Sequence, residues 1–354
     1  MAAIATPAPK RRIAGLDALR GLAALAVLLG HFTANYHRLY GHGDQLLFQF
    51  PWAAYGVLLF FMISGFVILM TVDRTARPAD FAWARFSRLY PAYWTAILVT
   101  FVVLSLFGLP GREPSLRLAV ANVTMVQNLF GIGNVDAVYW TLHVELYFYA
   151  AMFVLLWRGW VRCTEFVLLG LVALAAVDRV FFQGVDAEWA ERLRDVLILE
   201  HAYAFLVGVL LYRSLKSPRP WHVGAMGACC AYAFAFEPLT DACFAVALAG
   251  VLLLVTRGHL KWLDCRPLVF LGTISYSLYL THQNIGYVVI RAGYAAGLNP
   301  NLSVLLATAV AFAVAVVITY GVERPAMALL RHARPQFLRA RTARPGNRNA
   351  IAAA

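Results

Sequence analysis

The chain is 354 residues long, 61% hydrophobic and only 14% charged, with a mean hydropathy of +0.67. Ordinary soluble chains carry roughly 25% charged residues, so a water-soluble domain is excluded. The formal net charge of +12 reads first as membrane topology and not as nucleic-acid binding, and no nucleic-acid partner is expected.

The five cysteines, Cys163, Cys229, Cys230, Cys243 and Cys265, show neither metal-ligand spacing nor a disulfide framework; no metal site is expected. Residues 1–12 are a basic tail in which Lys10, Arg11 and Arg12 precede an apolar run. No small-residue cleavage site follows closely and Arg20 interrupts the run, so the segment reads as a membrane anchor and not a signal peptide. Crossing ~30 Å of hydrocarbon takes about 20 residues. Ten spans are predicted, near 14–36, 52–72, 86–107, 138–157, 164–183, 196–213, 222–236, 242–256, 268–290 and 301–322. Segment 117–131 is less apolar and carries Asn122, Gln127 and Asn128, as expected of a short re-entrant or interfacial helix. The fold predicted is all-α, a polytopic membrane bundle of about ten helices over residues 13–325. A basic, disordered cytoplasmic tail, 326–354, is expected to lie on anionic lipid headgroups.

With the N-terminus inside, only Arg38, Arg112, Arg117, Arg179, Arg192, Arg194 and Arg291 of the 30 Lys and Arg residues fall outside. The other 23 face the cytoplasm, which orients the bundle with both termini inside. No internal repeat is visible, and the longest hydrophilic stretches are too short to fold a core of their own. Any chemistry must lie between the helices.

Ionisable groups inside spans are costly and mark functional candidates. In GLDALRGLAALAVLLGH (15–31), Arg20 and His31 are eleven residues apart. On a helix they share one face and stand about 16 Å apart along the axis, so they cannot touch but can hold two ends of one elongated ligand. Asp17 and Arg20 can pair at i,i+3; the alternative is that they cap the cytoplasmic helix end. A neutral, buried His31 is a good general base, or else a structural histidine bonded to a carbonyl. Glu145, in WTLHVELYFY (140–149), is an acid among apolar and aromatic neighbours. Pairing with His31 would make a base and its orienter; the alternative is an interhelical hydrogen bond without chemistry. Trp140 reads most simply as an interfacial aromatic. Arg85 and Arg88, in ARFSRLYPAYW (84–94), are either plain inside charge or a bidentate phosphate site. Ser275, Tyr279 and His282 share one face of span nine, which must look at other helices or at water. Glu200 and His201 are a further polar pair.

These stretches, with GVLLFFMISGFVI (56–68) and ISYSLYLTH (274–282), resemble in order and spacing the acyltransferase-3 family of integral membrane acyltransferases, over about residues 13–325. The resemblance implies an O-acyltransferase of the bacterial cytoplasmic membrane. Such enzymes move acetyl or another short acyl group from cytoplasmic acyl-CoA to hydroxyls of carbohydrate or glycolipid acceptors, such as exopolysaccharide, O-antigen or peptidoglycan, and in actinomycetes some macrolides. The family's Arg-x10-His motif falls on Arg20 and His31, its Arg-x-x-Arg motif on Arg85 and Arg88, and its Trp-Ser/Thr-Leu-x-x-Glu motif on Trp140, Thr141, Leu142 and Glu145. Thr141 stands where serine is commoner, and the enzyme expected is the membrane-only type, without the hydrolase-like extracytoplasmic domain of some members.

The expected mechanism places CoA phosphates on Arg20, Arg85 and Arg88 and the thioester at His31, with Glu145 as orienter. Asp17, Trp140, Ser275, Tyr279 and His282 support the pocket, and Ser275, Tyr279, Asn122 or Asn128 steadies the oxyanion. Acyl-CoA is a co-substrate, and no cofactor is held permanently. A secondary transporter or lipid-linked-sugar flippase, and a non-catalytic scaffold, are the competing readings. The first is disfavoured by the lack of inverted repeats.

Overall fold

The computed structural model describes residues 13–43, 46–182, 184–185 and 187–333, and in these every regular element is helical. Helix α1 runs Ala14–Gly30, passes through a π turn at His31–Asn35 and ends as Tyr36–Tyr40. There follow α2 (Ala53–Val72), α3 (Pro78–Phe107), α4 (Leu116–Asn122), α5 (Trp140–Arg158), α6 (Thr164–Phe181) and α7 (Glu188–Val196). The rest are α8 (Ala202–Lys216), α9 (Pro220–Phe236), α10 (Leu239–Thr256), α11 (Arg266–Ala295) and α12 (Pro300–Ile318), which continues through a second π turn at Thr319–Glu323 to Arg324–His332.

Local chemistry explains several helix ends. Proline stands in the first turn of α3, α9, α11 and α12, where its missing N–H costs nothing. Asn299 caps α12 by accepting from the Leu302 amide at 2.9 Å.

Six helices are long and apolar enough to cross a membrane: Ala14–Tyr40, Ala53–Val72, Pro78–Phe107, Ala137–Arg158, Leu239–Thr256 and Pro300–Arg331. The described residues thus support six such spans where ten are expected. The other four expected segments are helical but fall short for physical reasons. Helices α8 and α9 have 15 and 17 residues. Helix α6 carries Glu165, Asp178 and Arg179. Helix α11 has 30 residues but is too polar, because it faces protein and not lipid: every residue from Ile274 to Val288 is buried. It is wrapped by α1, α3 and α12.

Close helix approach is made by glycine, as is usual where apolar helices pack within a bilayer. A Cβ on Gly272 of α11 would run into the Asp17 carbonyl of α1, and one on Gly21 would meet the backbone of Gly272 at 2.6 Å. Arg20 and Ser275, close to this contact on their own helices, line the same cavity. On the other side of α2, a Cβ on Gly208 of α8 would strike the Met62 carbonyl. Asp73 at the end of α2 accepts from Lys216 at 2.7 Å, and Arg213 pairs with Glu165 at 2.9 Å, which ties the matching ends of α2, α6 and α8 together.

Segment 117–131 forms the short α4, a turn, and a 3-10 turn at Gln127–Phe130. Its apolar Val120 and Phe130 are exposed while Asn122 and Gln127 are buried. The expected tail begins late: α12 continues to His332, and Trp83 of α3 donates to the Leu330 carbonyl at 3.0 Å. The tail from 334 and the basic residues 1–12 lie outside the described residues.

Candidate active site

A cavity of about 790 Å³, mouth included, lies between α1, α2, α3, α5 and α11. On α2 its wall runs from Ile68 to Val57, which at ~1.5 Å per residue makes it about 16 Å long. Arg20, Arg85 and Arg88 gather in its lining, with Glu145 as the one carboxylate.

The three arginines are not equivalent. Arg88 forms an ion pair with Glu323, a residue only 1% exposed, and its guanidinium lies 5.6 Å from the Tyr276 ring centre. The other oxygen of Glu323 accepts from Ser277 Oγ at 3.0 Å, and Ser277 in turn accepts from Thr319 Oγ1 at 2.9 Å. Arg88 is therefore neutralised by a fixed partner. Arg20 and Arg85 form no ion pair among the described residues, and Arg85 Nε is buried without a hydrogen-bond acceptor. A buried donor left unmatched costs about 1–3 kcal/mol, so this end of the cavity is poised for an anion.

Glu323 is the functional candidate that sequence reasoning missed, because it follows an apolar run as if at the cytoplasmic edge of a span. One signal was available: it is the only acid after Asp264. The second π turn, Thr319–Glu323, brings it inward. Such turns concentrate at functional positions, and the other one begins at His31. There, Thr33 Oγ1 donates to the Leu29 carbonyl at 2.7 Å.

The expected His31–Glu145 pair does not form. Glu145 Oε1 accepts from Ser64 Oγ at 2.9 Å and from the Tyr149 hydroxyl at 2.5 Å, deep on the arginine side of the cavity. His31 instead meets His282, with Nδ1 and Nε2 at 2.8 Å. The protonation pattern follows from the remaining contacts. His282 Nδ1 lies 2.9 Å from the Tyr279 carbonyl and 3.1 Å from the Leu278 carbonyl, which only accept, so Nδ1 carries the hydrogen. In the neutral ring, Nε2 of His282 is then an acceptor, and His31 Nδ1 must donate to it. This leaves His31 Nε2 with a lone pair and no hydrogen-bond partner among the described residues. That is the arrangement of a general base, with its second nitrogen held by an orienting group.

The other expected residues are spread differently. Tyr279 and Ser275 line the cavity. The Tyr279 hydroxyl lies 2.8 Å from Thr141 Oγ1 and 3.2 Å from the Val138 carbonyl. Ser275 donates its hydroxyl to the Gly272 carbonyl at 2.8 Å, which leaves no proton for an oxyanion. Asp17, one turn before Arg20, lies against Gly272. Trp140 is 42% exposed and lies outside this cavity, beside His201. Asn122 and Asn128, expected as oxyanion donors, serve structure. Asn122 accepts from the Val135 amide at 3.1 Å and donates to the Gly133 carbonyl at 3.0 Å, while Asn128 accepts from the Tyr147 hydroxyl at 2.8 Å.

Residues 13–320 match the family model of an acyltransferase domain. The chain belongs to the acyltransferase-3 family. Arg20, His31, Arg85, Arg88 and Glu145 all fall within the matched stretch. The chain is 32% identical over 317 residues to the exopolysaccharide production protein ExoZ of Rhizobium meliloti, a match covering 81% of this chain and 92% of the relative. It is 26% identical to the peptidoglycan O-acetyltransferase OatA of Listeria monocytogenes, across 78% of this chain and 50% of that longer protein. It is also 26% identical to the acyltransferase MdmB of Streptomyces mycarofaciens, over 92% of this chain and 94% of the relative. No solved structure matches it significantly. Family and apolar helices together make it a membrane acyltransferase.

Proposed function

We propose that this acyltransferase moves a short acyl group, acetyl or one of similar size, from cytoplasmic acyl-CoA to a hydroxyl of a carbohydrate acceptor such as an exopolysaccharide unit. The observation that carries the reading is the polarity of one elongated cavity. Arg20, Arg85 and Arg88 crowd one end, with Arg85 Nε unmatched, and the His31–His282 pair, which is not part of the lining, stands next to Tyr279, whose ring centre is 5.8 Å from that of His282. CoA phosphates would sit on Arg20 and Arg85, with Arg88 held in place by Glu323, and the pantetheine arm is about as long as the gap of ~16 Å between Arg20 and His31. The exopolysaccharide and peptidoglycan relatives support a glycan acceptor, and the Streptomyces acyltransferase MdmB, whose name carries no acceptor, leaves a glycosylated natural product as the second reading.

In the step itself, His31 Nε2 takes the proton of the acceptor hydroxyl as its oxygen attacks the thioester carbonyl. The C–O bond forms, the tetrahedral oxyanion collapses, the C–S bond breaks, and the imidazolium returns the proton to the departing thiolate. His282 holds the His31 ring so that Nε2 is the basic atom. No cofactor is required beyond the acyl-CoA co-substrate. The positive-inside bias supports a cytoplasmic-membrane protein with both termini inside, which puts the arginine mouth on the side where acyl-CoA is made.

Membranes carrying the protein, given acetyl-labelled acetyl-CoA with and without oligosaccharides cut from the exopolysaccharide, test the reading. Acceptor-dependent release of CoA with label in the glycan is expected. No transfer from protein that is present at normal level would refute it.

A further inference from the structure

A second cavity, of about 680 Å³, opens at the other end of α2, where its wall includes Ala54, Tyr55 and Leu58. It shares Val57 and Phe61 with the arginine-lined cavity, so the two are separated by little more than these side chains. Its charge is opposite. The first cavity holds three arginines against Glu145, whereas this one holds Glu200, Glu237 and Asp241 against Arg179 alone.

Its polar groups are arranged for hydroxyls and not for an anion or a metal. Glu237 pairs with Arg179 at 3.4 Å, and Asp241 accepts from the Tyr55 hydroxyl at 2.7 Å. Glu200 is exposed, lies near enough to Arg179 to attract it, and forms no hydrogen bond or close ion pair among the described residues. The His201 ring stands between Phe61 and Trp140, with centroids 4.8 Å and 5.4 Å away, and its nitrogens make no hydrogen bond among the described residues. No three of the described His, Cys, Asp and Glu side chains are grouped closely enough to hold a metal ion. Excess carboxylate repels phosphate and sulfate groups. Separated carboxylate acceptors with an imidazole and flat aromatic faces suit a neutral ring bearing several hydroxyls, whose polar edge is hydrogen-bonded while its C–H face covers the aromatic rings.

We infer that this outer cavity is the acceptor site and takes the sugar ring that receives the acyl group, an inference that rests on the acyl-transfer reading above. The site is larger than one ring. An adjoining cavity of about 530 Å³ shares Arg179 and Glu200 and continues toward Tyr232, so the pair forms a track for an oligosaccharide. Phe61 and Val57 are the partition that the acceptor hydroxyl must pass to reach the thioester. Trp140, expected at the catalytic pocket, is on this geometry a wall of the acceptor site.

The test separates the two cavities by their Michaelis constants. Purified protein in lipid nanodiscs is assayed with labelled acetyl-CoA and with oligosaccharides of one to four repeating units cut from the exopolysaccharide. Glu200→Gln and Asp241→Asn keep the size of each side chain, and Asp241→Asn keeps an oxygen for Tyr55. Each is expected to raise the acceptor KM at least tenfold, with the acetyl-CoA KM held within twofold of wild type. Longer oligosaccharides are expected to have lower KM in wild type, and this gain shrinks in Glu200→Gln. If wild type transfers label and both variants, inserted at normal level, keep the wild-type acceptor KM, the acceptor site lies elsewhere. If wild type labels none of the oligosaccharides, it is the carbohydrate-acylation reading itself that falls.

Discussion

The sharpest consequence of the His31–His282 geometry is an order of effects among four substitutions. His31→Ala removes the base, and loss of a general base costs roughly 10²–10⁴-fold in rate. His282→Leu leaves that base in place but removes the acceptor that His31 Nδ1 meets at 2.8 Å. A neutral hydrogen bond contributes about 0.5–1.5 kcal/mol net, which is roughly 2- to 12-fold in rate if its whole role is to hold the ring. His282→Gln offers a carbonyl acceptor and is expected to recover part of that loss. Glu145→Gln keeps an oxygen for Ser64 and Tyr149 and is expected to cost no more than His282→Leu. The assay is single-turnover transfer from labelled acetyl-CoA in nanodiscs, with KM for acetyl-CoA measured alongside. Because His31 stands about three helical turns from Arg20, donor KM should be near normal in His31→Ala. The wild-type rate should fall as pH is lowered, since a protonated imidazole cannot accept the hydroxyl proton, and the His31→Ala residual rate should lack this acid limb. Two results would refute the reasoning. One is His31→Ala, well inserted, transferring within a few-fold of wild type; the other is Glu145→Gln matching the loss of His31→Ala while His282→Leu is silent.

Arg85→Ala should raise the acetyl-CoA KM far more than the acceptor KM, since a lost charge-assisted contact costs about 1.5–3 kcal/mol; equal loss toward both substrates would argue for a structural role. Arg88→Ala should act differently, because it strands the buried Glu323. A broken buried ion pair costs about 3–5 kcal/mol, so thermal stability in detergent should drop and should recover in Arg88→Met combined with Glu323→Gln. Gly272→Ala pushes a methyl group into the Asp17 carbonyl and should lower stability by about 1–3 kcal/mol, whereas Gly224→Ala, with nothing within 4 Å, should not lower the melting temperature and should raise it slightly, because alanine is the better helix former. An alkaline phosphatase fusion after Glu188 should be active and one after Gly258 inactive; the reverse would break the expected orientation.

Much of the site was legible in residue types that an apolar helix rejects. Arg20, His31 and Glu145 stand out because each is costly in hydrocarbon, and the one-face geometry of α1 links two of them; Arg85 and Arg88 read locally as plain inside charge as readily as a phosphate site, and the family motif singles them out. Pairing was not legible. The residue types point to Glu145 as the orienter of His31, and only the approach of α11 to α1 through Gly21 and Gly272 puts His282 there instead. Glu323 escaped notice because its burial depends on a π turn, and nothing in the local pattern of an apolar run followed by Glu-Arg-Pro announces that extra residue.

The sequence alone determined that the chain is helical and apolar enough to lie in a membrane, and which side chains are too polar to face lipid, for these are properties of single residues and of helical periodicity. Tertiary structure decided which polar groups meet. It separated an arginine-lined cavity from an acid-lined one across Val57 and Phe61, and it assigned Trp140 to the second. Both outcomes depend on how helices far apart in the chain rotate and approach one another, and that is set by packing over the whole bundle and not by any local stretch.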